Sequence, residues 1–97
     1  MYGTGIEEQV INEIISLAVK HGIERIVLFG SRARGDYHRA SDIDLAVYGG
    51  DVDRFALDVE EYTSTLLMYD VIDMNKEHQN AIVESIKKEG KILYEKV

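Results

Sequence analysis

The amino-acid sequence predicts a small α/β (α+β) domain, a mixed β-sheet with helices packed on one face. Short apolar runs of strand length alternate with longer segments in which apolar residues recur at helical spacing. Their order is helix, strand, short helix, strand, helix, strand, helix, which is typical of one sheet layered with helices. The 97 residues, 45% of them hydrophobic, provide for one modest core, so we expect a single domain over residues 1–97.

Capping residues and glycines set the expected bounds of the elements. Thr4 and Glu7 fit a capping box, Ser31 is the expected cap of the short helix, and Asp51 or Asp53 caps the next one. The predicted helices cover approximately Gly5–Lys20, a short segment within Gly30–Gly35, Arg54–Met68 and Lys76–Glu89. The predicted strands cover Arg25–Phe29, Ile43–Tyr48 and Tyr69–Met74, with Lys91–Tyr94 as an extended edge segment.

The charge and composition argue against several classes of protein. The net charge of −7 gives no basic face, so direct binding of nucleic acid is not expected. The chain contains no cysteine, which excludes disulfides and thiolate metal sites. No apolar stretch is long enough to span a membrane and the start does not resemble a secretion signal, so the expected location is the cytoplasm.

Two aspartates in the central stretch are the main candidates for chemistry. Asp42 and Asp44 lie two residues apart at the start of an alternating strand, so both side chains face the same side. Adjacent carboxylates repel each other unless a cation lies between them, and Mg²⁺ prefers oxygen ligands while leaving room for phosphate oxygens. The alternative is a solvated strand edge without any ligand.

The turn before these aspartates is suited to phosphate. Gly30 lacks the Cβ that would prevent a close approach of the backbone, and Ser31 can add a hydroxyl donor at the start of a helix. Arg32 and Arg34 belong to the best basic cluster of the chain, which we expect to face nucleotide phosphates or an acidic partner. The simpler interpretation is an ordinary strand-to-helix turn with surface ion pairs.

A third carboxylate would complete the site. Asp70 and Asp73 both lie in the third predicted strand, but their positions differ by an odd number, so only one of them can face Asp42 and Asp44. Strand alternation alone does not choose between them.

The pattern Gly-Ser, ten residues, Asp-x-Asp resembles the nucleotidyltransferase superfamily that includes DNA polymerase β. The segments Gly30–Gly35 and Ser41–Leu45 look like its minimal branch, the MNT proteins, which include antitoxins paired with HEPN toxins. The resemblance implies that ATP is the substrate, with its triphosphate near Ser31. It also implies magnesium at Asp42 and Asp44, and Asp70, by position, as the third acid. Arg32 and Arg34 match the basic positions of the family beside the phosphates.

The resemblance implies transfer of AMP from ATP to a hydroxyl group. The chain is short for a separate acceptor domain, so we expect the acceptor to be supplied by a partner, most simply a tyrosine of a HEPN toxin in a hetero-oligomer, with a homo-oligomer as the alternative. One alternative is a binding module that neutralises its partner by covering it. Another is transfer to a small hydroxylated molecule.

Overall fold

A computed structural model describes all 97 residues as a four-stranded sheet with four helices. The strands lie in the order β3-β2-β1-β4, in which β1 is antiparallel to β2 and β4, whereas β2 is parallel to β3. The strands are β1 (Arg25–Phe29), β2 (Ile43–Tyr48), β3 (Tyr69–Asp73) and β4 (Lys91–Glu95). The helices are α1 (Glu8–Lys20), α2 (Gly30–Arg34), α3 (Val52–Tyr62) and α4 (Asn80–Glu89). The mixed α/β sheet predicted from the sequence is confirmed.

One face of the sheet packs against α1 and α3 and contains the main core. Alternate residues of β1 and β2, including Ile26, Leu28 and Leu45, point to this side, as strand geometry requires. They pack with apolar residues of α1 and α3 such as Ile14 and Phe55 in a cluster of 16 buried residues. This cluster is where most of the hydrophobic stabilisation of the fold arises.

The opposite face is covered by α4, which corrects the prediction that all helices share one face. Val27 and Phe29 of β1 and Ala46 of β2 are buried on this side together with Ile86 of α4. The reason lies in β1, whose residues from Ile26 to Phe29 are all apolar and therefore require cover on both sides.

Two helix starts differ from the predicted capping. Helix α1 begins at Glu8 with Glu7 at the N-cap, and neither side chain of the expected capping box caps it. Thr4 is instead fully buried, where its hydroxyl donates to the carbonyl of Met1 and accepts from the N–H of Ile6. Helix α2 begins at Gly30, so Ser31 lies inside the helix rather than at its cap.

Helix α3 ends before the predicted Met68 because residues that follow it form hydrogen bonds with α1. The helix ends at Tyr62, and the backbone N–H and hydroxyl of Ser64 donate to the Glu13 carboxylate at 2.8 and 2.7 Å. Asp51 caps its start by accepting from the N–H of Arg54, as expected for one of the two candidates. In consequence Leu66 lies outside the helix and is fully exposed.

The C-terminal part of the chain forms the edge that the sequence predicts. Helix α4 begins at Asn80, later than the predicted Lys76, because the preceding residues make turn contacts: the N–H of Asn75 donates to the Asp73 carboxylate. Gly90 ends α4, and β4 then pairs with β1 as an edge strand. None of the helices has the length and apolar character needed to cross a membrane.

Candidate active site

The predicted aspartates meet at one end of the sheet, where β1 ends and β2 and β3 begin. Asp44 is paired with Phe29, the last residue of β1, and with Asp70 of β3. Because β2 and β3 are parallel, these paired residues point to the same face with their Cα atoms about 5 Å apart. Asp42 precedes β2 by one residue and, two residues before Asp44, shares its side. The structure therefore brings Asp42, Asp44 and Asp70 together.

Asp73, the alternative third acid, points to the other face. It is paired with Val47, a fully buried member of the core between the sheet and α3. Its carboxylate accepts from the N–H of Asn75 and lies 4.0 Å from the ammonium group of Lys76. The register thus places Asp70, and not Asp73, beside Asp44.

Gly30 makes room for the central carboxylate. Its φ of +73° is unfavourable for other residues, and a Cβ at this position would collide with Oδ2 of Asp44 and lie 3.0 Å from its Cγ. The sequence alone predicts that this glycine lets phosphate approach the backbone. The structure adds a second reason, the packing of the Asp44 side chain against the turn.

Asp44 is the acid of this group whose pKa is shifted by its surroundings. Burial raises the pKa of Asp44 to about 6, and the negative charges of Asp70 and Asp42 contribute to the rise. The positive charge of Arg34 opposes it. Asp42 and Asp70 are exposed, whereas Asp44 is half-buried, so it is the member of the group for which a neutralising cation matters most.

Ser31 and Arg34 lie beside the carboxylates with donors available. The Ser31 hydroxyl makes no hydrogen bond within the chain, while its carbonyl accepts from the N–H groups of Gly35 and Asp36 and so closes α2. Arg34 is about half exposed, and its guanidinium donates to Asp36 and Glu89. These two hydrogen bonds, the one to Glu89 first, raise the pKa of Arg34 further, so it remains a cation.

Arg32 departs from the prediction of a phosphate contact. Its side chain is 1% exposed, and its Nε, Nη1 and Nη2 donate to the carbonyls of Ser41, Thr4 and Arg39 at 3.0, 3.0 and 3.2 Å. The guanidinium also lies over the ring of Tyr37, 4.8 Å from its centre. Its guanidinium links the segment before α1 to the loop before β2, and these bonds supply donors to carbonyls that would otherwise lack them.

Sequence reasoning missed Glu89 and Asp36, which lie against Arg34. Glu89 also adds to the negative field at Asp44. One signal was available: Glu89 is the last residue of α4, where a negative charge opposes the helix dipole. A residue in an unfavourable local position often has a partner elsewhere in the fold.

The carboxylates fit a magnesium ion that is shared with phosphate, and not one enclosed by the protein. In this structure no three His, Cys, Asp or Glu side chains converge closely enough to enclose an ion, so the set of three aspartate ligands stays a prediction. Mg²⁺ commonly uses one or two carboxylates and completes its shell with water and substrate phosphates. Asp42 and Asp44, at an open edge beside Ser31, suit that arrangement.

The fold and this group of acids define a nucleotidyltransferase. Residues 12–97 match the model of the family described as polymerase beta, nucleotidyltransferase. The chain belongs to this family, and the membership that the Gly-Ser and Asp-x-Asp pattern predicted is confirmed.

Within this family, the chain is similar to relatives named for protein adenylyl transfer and to toxin-antitoxin structures. The chain is 45% identical over 82 residues to "Putative protein adenylyltransferase MJ0604" of Methanocaldococcus jannaschii, a match that covers 81% of this chain and 74% of the relative. It is also similar to the crystal structure of a toxin-antitoxin with AMP-PNP, with a TM-score of 0.72, 26% identity, and coverage of 89% of this chain and 73% of the other. A structure of a variant of the toxin-antitoxin MntA-HpeT gives a TM-score of 0.69 at 26% identity, with the same two coverages.

Proposed function

We propose that this chain is a magnesium-dependent protein adenylyltransferase that transfers AMP from ATP to a hydroxyl group of a partner toxin, most simply a tyrosine of a HEPN-family protein. The observation that supports this most directly is the register between β2 and β3, which puts Asp44 next to Asp70 with Asp42 on the same side. The likeness to a relative named for protein adenylyl transfer, and to a toxin-antitoxin with an ATP analogue, favours this acceptor class.

In the proposed reaction the triphosphate of ATP lies along the turn at Gly30 and Ser31. The Ser31 hydroxyl and the free N–H groups of Arg34 donate to phosphate oxygens. Asp42 and Asp44 would hold the metal, which supplies positive charge to the phosphate oxygens as charge develops on them. The half-buried position of Asp44 favours a bound cation, because burial first, and then repulsion by Asp70 and Asp42, raises its pKa and disfavours an uncompensated negative charge.

Asp70 is proposed as the group that receives the proton of the acceptor. It is exposed and directly beside Asp44, so an incoming hydroxyl can reach it. The acceptor oxygen bonds to the α-phosphorus as its proton passes to Asp70, and the bond from the α-phosphorus to the bridging oxygen breaks. Pyrophosphate leaves with that oxygen. A positioned carboxylate in this role typically accelerates transfer by about 100-fold or more.

The surface beside these acids supports a protein as the acceptor. Met68 is exposed, and its carbonyl accepts from the N–H of Ile43, so it lies directly next to Asp42. Leu66, two residues earlier, is fully exposed. Large exposed apolar side chains near a reactive edge are typical of a surface that a partner covers, and the net charge of −7 favours a basic partner whose association weakens with added salt.

The test is to mix the purified chain with a HEPN-family toxin, ATP labelled at the α-phosphate, and Mg²⁺. We expect label on the partner, a mass increase of one or more AMP units, and loss of both with the double variant Asp42→Asn/Asp44→Asn. The matched control is Asp73→Asn, which removes a carboxylate from the opposite face of the same sheet. Label that persists in the double variant would contradict the proposed site.

The exposed side chains of Leu66 and Met68 also favour a second candidate, a module that neutralises its partner by binding alone. The same mixture separates the two. If the partner is silenced without label, and Asp42→Asn/Asp44→Asn silences it equally well, the binding function is correct. If silencing follows the label, the transferase function is correct.

A further inference from the structure

Arg34 is fixed by two carboxylates that leave part of its guanidinium free. Nη1 donates to Oε2 of Glu89 at 2.8 Å, and Nε donates to Oδ2 of Asp36 at 3.2 Å. A guanidinium has five N–H donors in a rigid plane, and Nη2 makes no hydrogen bond within the chain. The two carboxylates therefore determine the direction in which the free donors point.

Glu89 is held in place by the packing of α4 on the sheet. The N–H of Gly90 donates to the carbonyl of Ile86 at 2.9 Å, and a Cβ on Gly90 would lie 2.5 Å from Cγ1 of Val27. Ile86 itself is buried against β1. The end of α4 consequently has a fixed position relative to β1, the strand that leads directly into α2.

Glu89 occupies a position that local helix energetics disfavour. It is the last residue of α4, where the helix dipole favours cations such as Lys87 and Lys88. Its side chain is nevertheless only 18% exposed and directed to Arg34. A local cost of this kind is expected where a residue serves a site elsewhere in the fold.

We propose that Glu89 is a positioning residue for nucleotide binding: it orients the Arg34 guanidinium so that its free N–H groups meet the triphosphate. The inference rests on the proposed function, since it requires ATP as the ligand. Glu89 does not touch the nucleotide in this arrangement. It acts through Arg34, with the end of α4 as its support.

The sign of the effect separates this role from simple electrostatics. Glu89→Gln removes one negative charge near the site of a triphosphate, and charge alone predicts tighter binding. Loss of orientation predicts weaker binding, because an unfixed arginine loses side-chain entropy when it meets the ligand. We expect ATP affinity to fall by about fivefold to tenfold, since the geometry of a charge-assisted hydrogen bond is lost.

The experiment is calorimetric titration of the full chain with ATP and Mg²⁺. The matched control is Glu84→Gln, which removes an exposed carboxylate from the same helix. The Glu84 side chain makes no ion pair, unlike that of Glu89. We expect Glu84→Gln to bind like wild type, and Glu89→Gln to add nothing further in an Arg34→Gln background, because both changes disable one interaction. The exchanged pair Arg34→Glu/Glu89→Arg should keep the thermal stability of wild type without recovering affinity for ATP.

Each result decides the matter. Unchanged or tighter ATP binding by Glu89→Gln would overturn the positioning role, as would an equal loss in Glu84→Gln or an additive loss with Arg34→Gln. An exchanged pair that binds ATP like wild type would show that the ion pair serves the fold alone. If the wild-type chain does not bind ATP at all, the proposed function fails and this inference fails with it. If wild type binds ATP and Glu89→Gln binds it equally well, only the positioning role fails.

Discussion

The face of the sheet against α1 and α3 differs from the face against α4 in how much of it is buried. The first has a cluster of 16 buried residues and no acidic side chain among them, whereas the second has a cluster of four. On the second face the strand positions beyond that small cluster are occupied by Asp44 and Asp70. The two faces are formed by alternate residues of the same strands. Residues that stabilise the fold and residues of the candidate site are therefore direct neighbours in the sequence.

This separation predicts that acids on the two faces have unequal effects on activity and similar, small effects on folding. The double variant Asp42→Asn/Asp44→Asn should reduce transfer to the partner by at least about 1,000-fold, since both proposed metal ligands lose their charge. The unfolding midpoint should stay the same or rise. Parallel loss of folding and activity, measured by circular dichroism and labelling, would mean that the aspartates are structural.

The sharpest comparison is between Asp70→Asn and Asp73→Asn, three residues apart on opposite faces. Asp70→Asn should lower the transfer rate by about 100-fold with little change in ATP affinity, because the proposed role is to accept a proton. Asp73→Asn should leave the rate and the affinity unchanged. Single-turnover rates with labelled ATP test both, and the reverse outcome would place Asp73 at the site and the register of β3 one residue away.

The two arginines of α2 provide a comparison in stability instead of rate. Arg32→Met should lower the free energy of unfolding by about 2 to 4 kcal/mol, since the buried Thr4 carbonyl and the partly buried bonds to Ser41 and Arg39 lose their donor. Arg34→Met should have a small effect on stability, because its ion pairs are exposed to solvent, and should weaken ATP binding. Urea denaturation of both variants measures the difference; equal stabilities would contradict the assignment of Arg32 to the fold.

The smallest expected effect concerns the pH dependence of Asp44. Its pKa of about 6 in the folded protein exceeds the usual value of about 4 in an unfolded chain, so the folded state binds the proton more tightly. The stabilising contribution of the protonated Asp44 carboxyl to the wild-type fold is consequently lost as the pH rises from about 4 to about 6. After allowance for solvent screening, Asp44→Asn should be more stable than wild type by about 1 kcal/mol at pH 7 and equally stable at pH 3.5.

Thermal unfolding at both pH values, without divalent cations, measures this difference. A variant that is less stable than wild type at pH 7 would show that the Asp44 carboxylate makes favourable contacts that outweigh its burial.

Much of this arrangement could be predicted because it depends on local pattern. The alternation in β2 placed Asp42 and Asp44 on one side, and the glycine at 30 marked the turn. The choice between Asp70 and Asp73 required the pairing of β2 with β3, which sequence alternation cannot supply. The burial of Arg32 and the contact of Arg34 with Glu89 depend on residues up to 55 positions apart. The unfavourable charge of Glu89 at the end of α4 marks that residue but does not identify its partner. The early end of α3 likewise follows from the distant Glu13.

The parallel pairing of β2 with β3 has a consequence for how the sheet opens. β3 is an edge strand, none of its residues is fully buried, and Asp70 repels Asp44 across the pairing. Local opening is favoured where burial is low and like charges repel, so β3 should detach more readily than the central strand β1. The amide hydrogens of β3 should exchange with solvent ahead of those of β1. A cation that neutralises Asp44 and Asp70 should therefore also stabilise the pairing of β3 with β2 at the edge of the sheet.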